Sequence, residues 1–565
     1  MTALDWIVLA STLALIVLYG VYKSRTSRDL EGYFLSNRNL PWYVILLSIM
    51  GTQASAITFL AAPGQAYTDG MRFVQYYLGL PLAAIVICIS FVPAFSKLKI
   101  FTAYEFLETR FDLKTRTFTS FLFLLQRGLS TGISIFAPSL ILSTLLGWNI
   151  YVTNLLVGGL LIIYTVAGGA KAVAYTQQVQ FLIIMGAMCL AGYYVIKDLP
   201  HGYGLNDALS IGGKLGKMNI ITDGNSGKGF DWGDRYNIFS GVIGGFFLML
   251  SYFGTDQSQV GRYLTAKNIK ESRMGLLMNG LVKIPMQFAI LLIGILVFAF
   301  YQFNNEPIFF NQNELDKLEK STHKQELQQL QGAVASIQAQ KQALLSTYAQ
   351  HPSEETVAAM QTLQYKSDSL RIETKTLVKA NGGQDNDTNY IFLRFVIDYL
   401  PKGIVGLIIA IIFLASWSSV AAALNALASS TVIDFFKRFS KTERPQEIEY
   451  RYSKLYTLLW GVFCIAVAMF ASNIGNSLIE AVNILGSLFY GTILGIFLVA
   501  FYAKSVKGNA VFIAAIIAEL LVIAMFILNG QGIIRLGFLW LNTIGAITVW
   551  LLSVLLQRLK NISHP

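Results

Sequence analysis

The chain has 565 residues, 54% of them hydrophobic and only 13% charged, with a mean hydropathy of +0.53. Soluble domains carry about 25% charged residues, so a soluble globular protein is excluded. The net charge of +11 does not point to nucleic acid, because the basic residues fall in short clusters between apolar runs, the pattern that orients membrane proteins.

A spanning helix needs about 20 apolar residues. Thirteen stretches read as spans: 4–22, 42–64, 73–95, 117–146, 150–167, 177–196, 236–254, 275–302, 402–435, 455–472, 477–502, 509–528 and 536–556. The first reads as an anchor. Asp5 precedes it and Lys23, Arg25 and Arg28 follow, the reverse of the charge order in a cleaved signal. The second, SIMGTQASAITFLAAPG, is interrupted by Gly51, Gln53, Ser55 and Thr58; the seventh, FSGVIGGFFLMLSYFGTDQ, by Gly241, Gly244, Gly245 and Gly254. Freed carbonyls at membrane depth are tolerated only where they line a cavity or bind something. A pair of Gly-interrupted helices in corresponding halves points to a transporter with inverted repeats. Helices two to six and seven to eleven form two groups of five, and an odd number makes the second group run in the opposite sense. Membrane helices are Gly-rich in general, so this spacing alone leaves other membrane proteins open.

Between the eighth and ninth spans lies a polar insert, 304–390, with 8 basic and 11 acidic residues. Its net charge is −3, against +14 for the rest of the chain. Leu327, Leu330, Val334, Ile337 and Leu344 follow a helical spacing interrupted by Lys341, and His351-Pro352-Ser353 breaks it before a second stretch, 354–379, that carries Val357, Met360 and Leu363. This predicts a helical hairpin packed on its own apolar face. A stabilising cap and a docking module for an external partner both fit it.

The ninth span, AIIFLASWSSVAAALNALASSTVID, places Ala415, Ser418 and Ser419 at i, i+3 and i+4, so both hydroxyls lie beside the Ala415 carbonyl. With carbonyls from the broken second helix, these oxygens suit a dehydrated alkali cation without any carboxylate. A small-residue packing face fits the same pattern. Of the ionisable residues, Lys283 is near enough to the cytoplasmic end to snorkel. Asp256 closes the seventh helix beside Arg262, an available partner. Together with Arg127, Glu480 and Glu519 these are read as structural or gating groups. Cys88, Cys189 and Cys464 are too far apart for a metal or redox motif. His201, His323, His351 and His564 all lie in polar stretches, so no metal other than an alkali cation and no organic cofactor is expected.

The segments 23–42, 96–116, 168–176, 255–274, 436–454, 503–508 and 557–565 hold 24 Lys and Arg residues, against 2 in the short segments 1–5, 62–75, 146–151, 472–477 and 528–535. This predicts the N-terminus and the insert outside, the C-terminus in the cytoplasm, and a multi-pass protein of a cell (inner) membrane. The expected parts are an anchor helix 1–23, a first repeat 42–196, the start of a second repeat 236–303, the insert 304–390, the rest of the second repeat 400–502, and two peripheral helices 509–556. Only nine residues follow 556, so no appended cytoplasmic signalling domain is expected.

The stretches GGAKAVAYTQQVQ (168–180), GTDQSQVGRYL (254–264), LPKGIVGLIIA (400–410) and the Ser418-Ser419 pair together resemble the sodium/solute symporter family, over essentially the whole chain except the insert. TAYEFLETRF (102–111) followed by IFAPSLIL (135–142) looks most like its iodide, multivitamin and monocarboxylate branch. The resemblance implies an all-α, leucine-transporter-like inverted five-plus-five fold working by alternating access. It also implies a sodium site made by the carbonyls of Gly51, Ala54 and Ala415 and the hydroxyls of Ser418 and Ser419. Family members that use a second sodium have Asp where this chain has Gln177, so one sodium per substrate is expected; Gln177 and Gln180, with Asp256 and Lys283, are candidates for gating or coupling. The substrate pocket is implied near Gln53, Thr58, Tyr77, Met249 and Tyr252. Sugar-transporting relatives carry Gln, Glu and Asn at the positions of Thr58, Tyr77 and Met249, so a buried sugar would lose partners here at about 1–3 kcal/mol each. The expectation is therefore a sodium-coupled symporter for a small organic or inorganic anion, such as a monocarboxylate or vitamin-like acid, with a sugar or sialic acid as the alternative. Met249 as a lipid-facing or packing residue is the other reading of that position. A solute sensor is the reading from a different class. A membrane enzyme is another, but no His/Asp or metal constellation supplies its chemistry.

Overall fold

The computed structural model describes the chain apart from residues 25–29, 226, 228, 351–352, 441–444, 472–476 and 564–565. Arg25, Arg28, the His351-Pro352 break, most of the segment 472–477 and His564 thus lie outside the described residues. Among the described residues ten helices are long and apolar enough to cross a membrane, and three shorter apolar helices, Trp42–Gln53, Ile150–Val166 and Ser240–Gly254, stand beside them. The architecture is all-α.

The second span splits into Trp42–Gln53 and Ala56–Asp69, with Ser55 in an extended conformation between them. Local hydroxyls make the break possible. Thr58 Oγ1 donates to Gln53 O at 3.1 Å and Ser55 N to the same oxygen at 2.9 Å, which satisfies a carbonyl that the break frees, while Thr52 Oγ1 donates back to Ser48 O at 2.8 Å. The seventh span runs Ser240–Gly254 and resumes as Gln257–Tyr263. Its break falls at Thr255-Asp256, not at the three earlier glycines. Gly241 and Gly245 instead admit close packing: a Cβ there would come within 2.6 Å of Gln75 O and 2.5 Å of Tyr76 O. Asp256 Oδ1 caps the resumed helix by accepting from Ser258 N at 2.8 Å, and Tyr104 Oη donates to the freed Thr255 carbonyl at 2.9 Å. Gln257 ties the same break to the 101–104 loop, through Ala103 N at 3.0 Å and Phe101 O at 2.8 Å.

The fifth and sixth spans are the helices Ile150–Val166 and Val173–Lys197. The two fold back on each other. Tyr164 Oη and Thr176 Oγ1 are 2.9 Å apart, whereas that many residues of straight helix cover about 18 Å. The other spans are Ala3–Ser24, 80–98, Leu113–Leu146, Ile269–Phe303, Ile404–Phe439, Gln446–Phe470, Leu478–Tyr502, Gly508–Gly530 and Leu539–Ser563.

The insert carries two long helices, Lys324–Gln350 and Glu354–Ala380. Leu327 and Val334 pack with Leu377 and Val378 and with Ile308, Phe309, Leu315 and Leu318 of the lead-in. Lys341 does not interrupt this packing as a solvent-facing residue: it is buried and donates to Gln364 Oε1 at 2.8 Å. Gln338 Nε2 donates to Tyr301 O, Gln302 O and Asn304 O at 3.0, 3.1 and 2.7 Å, covering carbonyls that the end of the eighth helix leaves open. At the foot of the insert, burial acts to raise the Asp387 carboxyl, but Arg371 and Lys375 outweigh it and hold Asp387 below the usual carboxylate range.

Candidate functional site

Where the second and ninth helices cross, Ser418 Oγ lies 3.0 Å from Gly51 O and 3.0 Å from Ala415 O, donating to one and available to the other. Ala54 and Ala415 are fully buried beside it. Ser419 behaves differently. Its hydroxyl donates to Ser416 O at 3.1 Å, and its side chain reaches the neighbouring cavity. Gln177 closes the back of this oxygen cluster. Its Nε2 donates to Thr52 Oγ1 and Ser418 O, both at 3.1 Å, and its Oε1 accepts from Ser48 Oγ at 2.7 Å. A neutral amide thus joins the second, sixth and ninth helices at one point. Gly51 lets the two helices approach closely there, since a Cβ would sit 3.0 Å from Gln177 Cβ. Gln180, one turn further on, is buried.

Beside the cluster a cavity opens between the two broken helices. Gln53, Thr58, Tyr77, Met249 and Tyr252, the five positions singled out in the sequence, all line it. Met249 is therefore not lipid-facing. Gln53 Nε2 donates to Asn279 Oδ1 at 3.0 Å, and Tyr252 Oη accepts from Gln259 Nε2 at 2.7 Å. The wall also carries Gln126, Thr131, Ser134 and Asn483, which sequence reasoning missed because single polar residues in an apolar helix have no periodic signature.

The ionisable residues are arranged differently from the sequence expectation. Asp256 pairs not with Arg262 but with Arg127 of the fourth helix. Tyr490 joins them, accepting from Arg127 and donating to Asp256 Oδ2, each at 2.7 Å. Chain neighbours are poor guides to pairing across a helix break. Glu480 receives Arg235 through both oxygens at 2.8 Å, away from the cavity. Glu519 is buried on the twelfth helix and does not line the cavity. Lys283 does not snorkel: only 2% exposed, it faces the cavity with Nζ 5.7 Å from the Tyr77 ring centroid. Among the described residues no carboxylate pairs with it. Arg127 and Asp256 offset each other, so Lys283 is the basic group on the cavity wall that lacks a carboxylate partner among the described residues.

Two helices broken at membrane depth, an oxygen cluster at one break and a polar cavity between them define a secondary transporter built on inverted repeats. The family model described as "Sodium:solute symporter family" matches residues 33–314 and 367–530. The chain belongs to the sodium:solute symporter family, and sodium-coupled transport is that family's activity. Among its relatives, the sodium/sialic acid symporter SiaT of Proteus mirabilis is 27% identical over 92% of this chain and 89% of that protein. The sodium/sialic acid symporter NanT of Aliivibrio fischeri is 24% identical over 91% and 86%. The human sodium/iodide cotransporter is 25% identical over 84% of this chain and 61% of its own length. The substrate-bound outward-open structure of a Na+-coupled sialic acid symporter superposes with a TM-score of 0.75 at 24% identity, over 99% of this chain and 98% of that one. The leucine-transporter-like fold expected from the sequence is thus the fold of the protein.

Proposed function

We propose that the protein imports a carboxylate-bearing sugar acid of the sialic acid kind together with sodium. Lys283 carries the substrate half of this reading: a buried amine with no carboxylate partner on the cavity wall gains a counter-ion when an anionic solute binds, and that pairing favours its charged form. The half-helix Ala56–Asp69 adds to it. It begins at Ser55 on the cavity wall with no side-chain cap, so its first amides favour negative charge. The sequence-based case against a sugar rested on Thr58, Tyr77 and Met249 alone. Gln126, Thr131, Ser134 and Asn483 supply hydroxyl partners from other helices, and the sialic acid symporters among the relatives weigh the same way. A simple monocarboxylate or an inorganic anion is the second reading, supported by the apolar wall of Tyr76, Tyr77, Leu248 and Met249. Thermal stabilisation of the purified protein in sodium separates the readings. Sialic acid should stabilise strongly, lactate weakly and galactose not at all; equal stabilisation by galactose would remove the role of the carboxylate.

Sodium is the coupling ion, and Gly51, Ala54 and Ala415 carbonyls with Ser418 and Ser419 hydroxyls are its proposed ligands. Neutral hard oxygens already gathered at 3.0 Å around Ser418 Oγ suit a dehydrated monovalent cation. Sodium bound there bridges the second and ninth helices and favours the conformation open to the insert side. The substrate then binds between the broken helices, and each ligand drives the cycle only through its differential affinity for the two conformations. Gln177 offers a neutral oxygen already committed to Ser48 and no negative charge for a second cation. A sodium Hill coefficient near one is the expected result for uptake; a value near two would contradict the assignment. The distribution of basic residues favours an orientation with the insert side outside and the C-terminus in the cytoplasm, in keeping with a multi-pass protein of an inner membrane.

A further inference from the structure

The family pattern stops at 314 and resumes at 367, so most of the hairpin is additional to the family frame. It is nevertheless tied into the transport core. Arg371 on its second helix bridges carboxylates at both feet of the insert, 3.1 Å from Glu306 and 2.8 Å from Asp387. Lys341 on its first helix lies 3.6 Å from Glu306. Both carboxylates are buried, which they tolerate only because cations surround them. The Glu306 oxygen that meets Arg371 also accepts a hydrogen bond from Tyr67 Oη. Tyr67 stands in the last turn of Ala56–Asp69, the half-helix whose other end lines the cavity at Ser55 and Thr58.

The same half-helix is held from two further directions. Thr388 O, at the end of the insert, presses on Gly64, where a Cβ would lie 2.0 Å away. Gln65 Oε1 accepts from Ser477 Oγ at 2.8 Å, and Asn389 Oδ1 accepts from Leu478 N at 3.2 Å, so the start of the eleventh helix is joined to both. On this side of the cavity the half-helix, the insert foot and the eleventh helix are tied together, a closure that has to part for the cavity to open here.

We infer that the hairpin is a brace for this closure: Arg371 and Lys341 fix Glu306, and Glu306 fixes Tyr67, holding the half-helix shut against the eleventh helix. Alternating access has to undo that closure in each cycle, so Tyr67 and Glu306 are positioning residues whose bond sets how often the insert side opens. The inference rests on the broken helices being the moving parts and needs no particular substrate.

The test is the rate at which a water-soluble maleimide reacts with a thiol introduced by Ile479→Cys, in full-length purified protein carrying Cys189→Ser. Ile479 lines the cavity in the first turn of the eleventh helix. Cutting the brace with Tyr67→Phe, which removes one hydroxyl and leaves the charges paired, should speed that reaction roughly fivefold or more by raising the open fraction. Glu306→Gln should act in the same direction and serves if Tyr67→Phe folds poorly. Cys464 is fully buried elsewhere and is the internal control: its reactivity should stay unchanged. An unchanged rate at position 479, or a parallel rise at Cys464 that reports general loosening, would overturn the inference.

Discussion

Replacing Ser418 by alanine is expected to raise the sodium concentration for half-maximal transport about 10- to 100-fold, the loss of one hydroxyl ligand to a charge at ~1.5–3 kcal/mol. The size follows from position. Of the two serine hydroxyls, that of Ser418 is in contact with carbonyls of both helices, 3.0 Å from Gly51 O and from Ala415 O, so its removal opens the ligand set at the bridge between them. Ser419→Ala should have the smaller effect, because its hydroxyl is bonded within its own helix to Ser416 O. Folding should survive both substitutions: each removes one oxygen and adds no bulk. Sodium titrations of uptake, at saturating substrate, measure the difference. A Ser418→Ala protein with the wild-type sodium requirement would move the site elsewhere.

The second large effect is expected at Lys283. Lys283→Met keeps the length and apolar stem and removes the charge, and uptake of a carboxylate substrate should fall by about 10- to 100-fold in apparent affinity, the range for a charge-assisted contact in a desolvated site. The substitution also relieves a buried ammonium that no carboxylate offsets, so the purified protein should be at least as stable as the wild type without substrate. Loss of uptake with retained stability identifies a substrate contact; unchanged uptake would show that the ammonium does not meet the solute.

Much of the fold was legible in the sequence, and the reasons differ from part to part. Span length follows from the bilayer, so apolar runs located the helices. The second helix announced its break through Gly51, Gln53, Ser55 and Thr58, polar and flexible residues where an apolar helix has no use for them. The seventh misled, because glycine marks close packing as readily as rupture: Gly241 and Gly245 accommodate Gln75 and Tyr76 carbonyls, while the break needed only an Asp able to cap the helix Gln257–Tyr263. Pairings between distant segments were not legible at all. Arg127 meets Asp256 across 129 positions, and Arg371 joins Glu306 to Asp387 only once the hairpin is folded. Lys283 looked like a residue reaching for water since sequence gives depth but not azimuth, and its face of the eighth helix turned out to be the cavity wall.

The most direct test of sodium coupling through this site is accumulation of labelled sialic acid in proteoliposomes under an inward sodium gradient, with a choline gradient and Ser418→Ala protein in parallel. The predicted result is accumulation with sodium alone, absent in choline and largely lost in Ser418→Ala at the same sodium concentration. Equal accumulation in choline, or full sodium drive without the Ser418 hydroxyl, would contradict the assignment of the coupling site.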